Sequence, residues 1–195
     1  MQLRFTEILK KSVGFGFATV IALSVSGCGN GDVLPKPSSY LRLDYPVARY
    51  VDFESDCPYG FFMNSSAKIE VSKNCGFAIH YPKMKATVYL SYMPVNGNIE
   101  ALLNDAQTLT YKHVIKADNI TEQPYLNPDK KTYGMFYSVG GNAATNSQFY
   151  LTDSTKHFVR GSLYFYAKPN FDSIMPAADY IKNDMQTLME TIHWK

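Results

Sequence analysis

Residues 85–117 have the sequence KATVYLSYMPVNGNIEALLNDAQTLTYKHVIKA, and this segment decides the fold. Its first part alternates apolar and polar side chains and predicts a strand over residues 85–93. The residues expected on one face of that strand are Ala86, Val88, Leu90 and Tyr92. Asn96-Gly97-Asn98 then ends the strand and offers Asn98 as a helix cap. Apolar residues at close to helical spacing follow, and they predict a helix from Ile99 to near Ala117.

Strand patterns lie on both sides of this segment. The predicted strands are residues 68–71, 76–81, 120–125, 132–139, 148–152 and 157–166. Residues 140–147 are predicted to be a flexible link, and Asp153-Ser154-Thr155 a tight turn. After a break at Pro169-Asn170, a methionine-rich apolar stripe predicts a second helix that runs to the C-terminus. These elements predict an α+β fold, in which an antiparallel β-sheet is flanked by two main helices as an α-β-α sandwich.

Composition and charge exclude several classes of protein. The chain has 195 residues, of which 46% are hydrophobic and 14% aromatic, so it can bury a core and is not disordered throughout. The formal charge of +2 comes from the N-terminus, where Arg4, Lys10 and Lys11 stand against Glu7. The rest of the chain is formally neutral with both signs interspersed, so the sequence shows no electrostatic footprint for nucleic acid.

Residues 1–27 have the parts of a secretory signal peptide. A positive segment ending at Lys11 precedes residues 12–27, which hold no ionisable side chain. The competing interpretation is a transmembrane helix, but the stretch is shorter than the roughly 20 apolar residues of a stable span. Val25-Ser26-Gly27-Cys28 resembles the lipobox of bacterial lipoproteins, whose cysteine receives diacylglycerol and further acyl chains such as palmitate. The sequence therefore predicts lipidation at Cys28, with an unmodified cysteine in a signal anchor as the alternative.

Cleavage before Cys28 divides the chain into three parts. Residues 1–27 would be the signal peptide, residues 28–39 the lipidated cysteine with a flexible Gly-, Pro- and Ser-rich tether, and residues 40–195 a single α+β domain. Residues 40–45 alternate apolar and charged side chains before Pro46 and predict a strand-like opening. Position 29 is Gly rather than Asp, which in well-studied bacteria accompanies outer-membrane sorting. We expect a lipid anchor in the outer membrane and a domain that faces the periplasm.

A protein located outside the cytoplasm can form stable disulfide bonds. The chain has three cysteines, and the assignment of Cys28 to lipid leaves Cys57 and Cys75 as a pair. Their bridge would close a loop of about 18 residues and stabilise the fold by about 3 kcal/mol. Two buried free thiols are the alternative.

No motif for catalysis or metal binding is present in the sequence. The four histidines, His80, His113, His157 and His193, do not have the spacing of paired ligands. A redox C-x-x-C pair, a nucleophile elbow and a phosphate-binding loop are also absent from the sequence. We therefore expect a protein that is not an enzyme and that uses no cofactor and no metal. The 15 tyrosines suit sheet packing, and a carbohydrate platform is the competing use.

Several segments beyond Cys28 carry a family resemblance. They are Asp32-Val33-Leu34-Pro35-Lys36-Pro37, residues 40–46, Cys57-Pro58-Tyr59-Gly60-Phe61 and residues 158–165. Together with the length, the lipoprotein signal and the order of elements, they resemble the gliding-motility lipoprotein family GldD. The second half also resembles PsbP-type domains, more weakly, which implies an α-β-α sandwich.

The resemblance implies a non-enzymatic envelope lipoprotein required for bacterial gliding motility. Such a protein would be a docking or assembly component linked to the type IX secretion and gliding machinery. Its partners would be other gliding-motility lipoproteins, components of that secretion apparatus, and the membrane through its anchor. The competing function is a periplasmic lipoprotein that binds a glycan or another small ligand in a tyrosine-lined pocket, and a third is a hydrolase with a site that no motif reveals.

Two kinds of surface site follow from these interpretations. The predicted docking residues, which combine Tyr and Arg near the membrane end of the domain, are Arg42, Tyr45, Tyr50, Tyr59 and Phe61. The alternative is that this segment is an edge strand packed on the sheet. Asp153-Ser154-Thr155 and Asp172-Ser173-Ile174 are similar to periplasmic O-glycosylation sequons of some gliding bacteria, so Ser154 and Ser173 are predicted glycosylation sites. Chance occurrence of such short tripeptides is the alternative.

Overall fold

The structure is a computed structural model, and it describes residues 45–112, 117–141, 143–166 and 171–195. All of these residues belong to one unit of the chain, Tyr40–Lys195. The predicted signal peptide, the lipidated Cys28 with its tether, and the strand-like opening over residues 40–44 lie outside the described residues. The predicted break at Pro169-Asn170 lies outside them as well.

Ten strands and two α-helices make up the described part of the domain. In chain order the first five strands are β1 (Tyr50–Phe53), β2 (Tyr59–Asn64), β3 (Lys68–Val71), β4 (Phe77–Tyr81) and β5 (Ala86–Pro94). The other five are β6 (Ala117–Asn127), β7 (Thr132–Gly141), β8 (Ser147–Thr152), β9 (His157–Phe165) and β10 (His193–Trp194). The helices are α1 (Ile99–Tyr111) and α2 (Phe171–Thr191), and short 3₁₀ turns cover Lys73–Cys75 and Pro82–Met84.

The strands form two antiparallel sheets. The main sheet has seven strands in the order β3-β4-β5-β9-β8-β7-β6, and the small sheet has three in the order β1-β2-β10. The longest pairing at the middle of the main sheet joins β5 to β9, from Ala86 opposite Phe165 to Pro94 opposite His157. Segments 85–94 and 157–165, far apart in sequence, therefore form the centre of the fold.

Alternation along the strands sends apolar side chains to both faces of the main sheet. On one face Val88, Leu151 and Leu163 are buried in a core that also contains residues of β2 and α2. On the other face Tyr150 and Phe158 pack with α1 residues around Ala106 in a second core. The two helices thus flank the sheet from opposite sides, and the α+β prediction is confirmed. The domain has more sheet than the predicted sandwich, because the small sheet packs with α2 on the same face of the main sheet. The PsbP-like arrangement stays a prediction.

The predicted strands of the main sheet are present, with ends that differ by a few residues from those predicted. Ala86, Val88 and Leu90 are buried on one face of β5, as alternation predicts. The prediction of a flexible link over residues 140–147 is wrong for its described part. Asn146 is buried, its amide Nδ2 donates to the Val139 carbonyl at 3.3 Å, and the Val139 N–H donates back to the Asn146 carbonyl at 2.8 Å.

Both helices end earlier than the sequence pattern predicts. Helix α1 ends at Tyr111 rather than near Ala117, where strand β6 already begins. Asn98 occupies the N-cap position, but its Oδ1 accepts from the Asn96 N–H at 2.8 Å and not from a helical N–H. Helix α2 ends at Thr191, and the C-terminus leaves it to form β10 against β2, with His193 opposite Gly60.

The small sheet is the element that the sequence pattern does not predict. Its central strand β2 begins at Tyr59, directly after Pro58, and pairs with β1 on one side and β10 on the other. Strand β1 near the N-terminal end of the described domain and strand β10 at its C-terminal end thus both pair with β2.

Candidate functional site

A disulfide joins Cys57 and Cys75, which is the pairing predicted from the cysteine count. Their Cα atoms are 5.4 Å apart, and the bridge connects the segment before β2 to the 3₁₀ turn before β4. At the turn, Asn74 and Cys75 both have a positive φ, of 56° and 57°. The Tyr59 hydroxyl donates to the Cys75 carbonyl at 2.9 Å, so the bridge and this hydrogen bond tie the small sheet to the main sheet.

Two of the predicted docking residues are core residues. Tyr59 and Phe61 are both 0% exposed, and their rings stack at 5.9 Å between centroids, beneath the main sheet. Burial raises the pKa of the Tyr59 hydroxyl, which has its partner inside the protein. The prediction that these two residues dock a partner is wrong, because neither side chain reaches the surface. Arg42, a third member of that set, lies outside the described residues.

The other two predicted docking residues bind the N-terminal segment to helix α2. The Tyr45 ring lies 5.1 Å from the Tyr180 ring, and the Tyr180 hydroxyl donates to the Pro46 carbonyl at 2.9 Å. The Tyr50 hydroxyl donates to Asp184 Oδ1 at 2.8 Å. Both tyrosines are half-buried by these contacts. This arrangement supports the alternative that the segment is an edge strand packed on the domain.

Asp184 is the centre of a buried polar group that we call the Asp184 cluster, formed by Tyr50, Asn64, Tyr81, Tyr180 and Asp184. Asp184 is only 3% exposed, and its Oδ2 accepts from the Asn64 amide at 2.8 Å. Burial raises the pKa of Asp184, while hydrogen bonds from Tyr50, Asn64 and Tyr81 act in the opposite direction. The carboxyl group therefore has donors from three strands, β1, β2 and β4. The same Asn64 Nδ2 also donates to the Tyr180 hydroxyl at 2.9 Å.

The most exposed aromatic surface among the described residues of the main sheet lies on the α1 side. Tyr89 and Tyr166 are 40% and 61% exposed, and their hydroxyl oxygens are 2.7 Å apart. The Tyr89 ring also packs edge-on against Tyr164 at 5.9 Å. We call Tyr89, Tyr164 and Tyr166 the tyrosine face.

Polar side chains border the tyrosine face. In the register of the sheet Lys68, His80, Thr87 and Tyr164 lie in one row across four strands. His80 Nδ1 lies 2.9 Å from Thr87 Oγ1, and its Nε2 lies 3.4 Å from Glu70. Hydrogen bonds from Thr87 and then Tyr89 lower the pKa of Tyr166. A cavity of about 420 Å³ opens beside Tyr166, with Lys68, His80 and Lys85 in its wall.

Both predicted glycosylation serines lie at the surface. Ser154 is exposed in the turn between β8 and β9, where its φ is 67°. Asp153 forms that turn, because its Oδ1 accepts from the backbone N–H groups of Lys156 and His157 at 2.7 and 2.8 Å. Burial tends to raise the pKa of Asp153, but these hydrogen bonds prevail and lower it to about 2. Ser173 is exposed near the start of α2, and modification of either serine stays a prediction.

The three histidines that the structure describes have different partners, and His80 is at the border of the tyrosine face. His157 lies 3.0 Å from the Tyr92 hydroxyl and stacks on Trp194 at 5.1 Å, while His193 lies 3.2 Å from Glu54. His113 lies outside the described residues. Within the ranges that the structure describes, no three His, Cys, Asp or Glu side chains gather as metal ligands. In the same ranges no helix has the length and apolar character needed to cross a membrane.

The described residues define a class of protein, a disulfide-braced α+β domain whose N-terminal segment is bound along a helix. The chain belongs to the gliding motility lipoprotein GldD family, whose family model matches residues 30–194. This confirms the resemblance seen in the sequence and makes the protein a gliding-motility lipoprotein with a lipid anchor in the cell envelope. The match begins after Cys28, so lipidation at that residue stays a prediction. In a comparison with curated proteins, none matches the chain.

Proposed function

We propose that the protein is a non-catalytic docking component of the gliding machinery, anchored through Cys28 in the outer membrane with its domain facing the periplasm. Its partners would be other gliding-motility lipoproteins and components of the type IX secretion apparatus. Membership of the GldD family supports a role in gliding and a place in the envelope. The docking role rests on one structural observation, the exposure of the tyrosine face.

The tyrosine face has the chemistry of a protein-binding surface. Tyrosine offers a large apolar ring and a polar hydroxyl, and it is enriched where binding energy concentrates at interfaces. The hydrogen bond between Tyr89 and Tyr166 and the ring contact with Tyr164 hold these side chains in place before a partner arrives. Less side-chain entropy is then lost on binding. Lys68 and Lys85 at its border would favour a partner with acidic groups opposite them.

Membrane anchoring makes a modest contact sufficient. More than one acyl chain gives stable anchoring, whereas a single chain gives marginal binding. A protein confined to one membrane face meets its partners at a high effective concentration, so the docking surface need not be large. This explains how a face built around three tyrosines could serve in an assembly.

Site-directed photo-crosslinking in gliding cells tests the proposal. The full-length protein would carry a photoreactive amino acid in place of Tyr89 or Tyr166, and a matched control would carry it in place of Tyr111. Tyr111 is 46% exposed and lies on α1, outside the tyrosine face. We expect adducts with a gliding or secretion component from the first two positions and not from the control. The same adducts from all three positions, or none from Tyr89 and Tyr166, would contradict the proposal.

A loss-of-function test complements crosslinking. We expect the double variant Tyr89→Ser/Tyr166→Ser to abolish gliding at an unchanged protein level, because it removes both exposed rings and leaves the core intact. Normal gliding in cells with that variant would exclude the tyrosine face as the docking surface.

A further inference from the structure

The main sheet ends in two edge strands, β3 on one side and β6 on the other. An edge strand turns a row of backbone N–H and C=O groups away from the sheet, and such a row is a template for another strand. The hydrogen-bond register of the sheet shows which residues carry these groups. The two edges differ in those residues and in their suitability for pairing.

Strand β6 is poorly suited to pairing because of Pro124. The Val139 N–H donates to the Asn146 carbonyl at 2.8 Å, and these two residues continue the register of β7 with β8. Backbone groups alternate in direction along a strand, so those of Ile120, Glu122 and Pro124 point to the open side of β6. Pro124 has no N–H to donate there, and two copies of β6 paired about Glu122 would bring like charges together.

Strand β3 has no proline on its open side. The Ser72 N–H donates to the Gly76 carbonyl at 2.8 Å, and this pair continues the register of β3 with β4. Alternation then turns the backbone groups of Ile69 and Val71 to the open side of the sheet. Among the described residues, none bonds to these groups from that side. Val71 is also 61% exposed, so this edge offers free hydrogen-bonding groups beside an apolar side chain.

The charged residues of β3 complement a second copy of the same strand. Lys68 and Glu70 are exposed, and because they are two residues apart they lie on one face. When two copies of β3 pair antiparallel about Ile69, Lys68 of each copy lies opposite Glu70 of the other. Ile69 carries backbone groups on the open side, so in this register the two Ile69 residues exchange both N–H···O=C bonds. Hydrogen bonding and charge therefore favour the same alignment.

We propose that β3 pairs with β3 of a second copy of this chain, antiparallel and centred on Ile69, so that the two main sheets become continuous. Opposite charges directly across an antiparallel pair stabilise it. A strand of four residues makes a small contact, and confinement of both copies to one membrane face raises their effective concentration. The interface lies at the edge of the sheet and leaves the tyrosine face open, so this inference and the docking role can fail separately.

Disulfide trapping in the native membrane tests this register. Two full-length copies with different tags are expressed together, one with Lys68→Cys and the other with Glu70→Cys. In the proposed register these positions face each other with Cα atoms about 4.5 Å apart, which a disulfide can bridge. Two copies that both carry Lys68→Cys would have these Cα atoms about 8 Å apart, which is too far. We expect a linked dimer from the mixed pair on oxidation and none from the like pair.

The matched control uses the other edge of the sheet. Thr121→Cys and Gln123→Cys also change two exposed residues that are two apart on an edge strand, and we expect this pair to give no linked dimer. The inference would be overturned if the mixed pair on β3 gave no linked dimer, or if the like pair or the β6 pair gave as much. A link from β3 only to a different protein would also overturn it, because another partner would then occupy this edge.

Charge exchange tests the same pairing without a new cysteine, which keeps the inference falsifiable if a cysteine variant does not fold. Lys68→Glu alone or Glu70→Lys alone puts two like-charge pairs into the dimer, and we expect each variant to weaken the association of two tagged copies about tenfold. A mixture of the two variants restores both opposite-charge pairs, so co-purification of the two tags should return to the wild-type level. Unchanged association of the single variants, or no recovery in the mixture, would contradict the proposed register.

Discussion

Replacing Tyr50 with phenylalanine removes one hydroxyl from the Asp184 cluster and leaves the ring in place. In the wild-type protein that hydroxyl donates to Asp184 Oδ1 at 2.8 Å, and Asp184 is 3% exposed. A hydrogen bond to a charged group contributes about 1.5–3 kcal/mol, because its loss leaves a desolvated charge with one donor fewer. Tyr50 is half-buried, and we expect Tyr50→Phe to lower the free energy of unfolding by about 2 kcal/mol near neutral pH.

The chain provides a matched control for this experiment. Tyr111 also donates to a carboxylate, that of Glu122, but both residues are exposed on the surface. The same substitution there, Tyr111→Phe, should change the free energy of unfolding by less than about 0.5 kcal/mol. Urea unfolding of the two variants and the wild-type protein, followed by circular dichroism, measures both values.

The effect of Tyr50→Phe should depend on pH. Burial raises the pKa of Asp184 above its ordinary value of 3.8, and the Tyr50 hydroxyl is one of the groups that limit this rise. A carboxyl group whose pKa is raised in the folded state contributes most to the free energy of unfolding at pH values below its unfolded pKa. That contribution is lost as the pH rises through the folded pKa. Removing the hydroxyl raises the folded pKa further, so more stability is lost. The difference between variant and wild type should therefore be small near pH 3.5 and reach its full size near pH 7.

Two results would refute this reasoning. The first is a loss of stability in Tyr50→Phe no larger than the loss in Tyr111→Phe, which would mean that the Asp184 cluster does not hold the N-terminal segment. The second is a difference between Tyr50→Phe and the wild type that stays constant from acidic to neutral pH. That result would mean that the hydroxyl does not interact preferentially with the charged carboxylate.

Four further predictions follow from the chemistry of single positions. The double variant Cys57→Ala/Cys75→Ala opens a loop with a sequence separation of 18, and we expect urea unfolding to show a free energy of unfolding lower by about 3 kcal/mol. A difference near zero would argue that the disulfide does not stabilise the fold. In Gly161→Ala the added methyl group would overlap the ring of Phe149, so urea unfolding should show a free energy of unfolding lower by about 1–3 kcal/mol. An unchanged urea midpoint would contradict this close packing. Mass spectrometry of protein from its native cells should show a glycan mass that Ser154→Ala removes, and an identical mass for variant and wild type would exclude that site. Palmitate labelling should be lost in Cys28→Ala, and undiminished label would exclude lipidation there.

Much of the main sheet could be predicted from the sequence, because its strand segments are rich in apolar residues and are bounded by turn residues. Segment 85–93 is typical, since alternate buried residues such as Val88 and Leu90 are visible as a period of two. Strand β2 lacks this pattern, since five of its six residues are buried, and Pro58 and Gly60 at its start are typical of a turn. Strand β10 has two residues and is defined only by its pairing with β2, which no local pattern contains.

The docking residues show where residue type alone is insufficient. Tyr59 and Phe61 have the composition of an interface, but the same rings also suit a core when a hydroxyl finds an internal partner. That partner is the carbonyl of Cys75, which the disulfide places beside the ring. The orientation of Tyr89 in the tyrosine face could be predicted from the sequence, because alternation along β5 places its side chain on the face opposite Val88 and Leu90. The position of Tyr166 beside it depends on the register between β5 and β9, which the sequence does not reveal.

The binding of the N-terminal segment along α2 has a mechanical consequence. Tension on a lipid anchor at Cys28 would enter the described domain at its N-terminal end. It first meets the contact of Tyr45 with Tyr180 and the hydrogen bond from Tyr180 to Pro46, and then the bond from Tyr50 to Asp184. Only after these does the load reach the pairing of β1 with β2. Such a load would thus be shared between helix α2 and the small sheet.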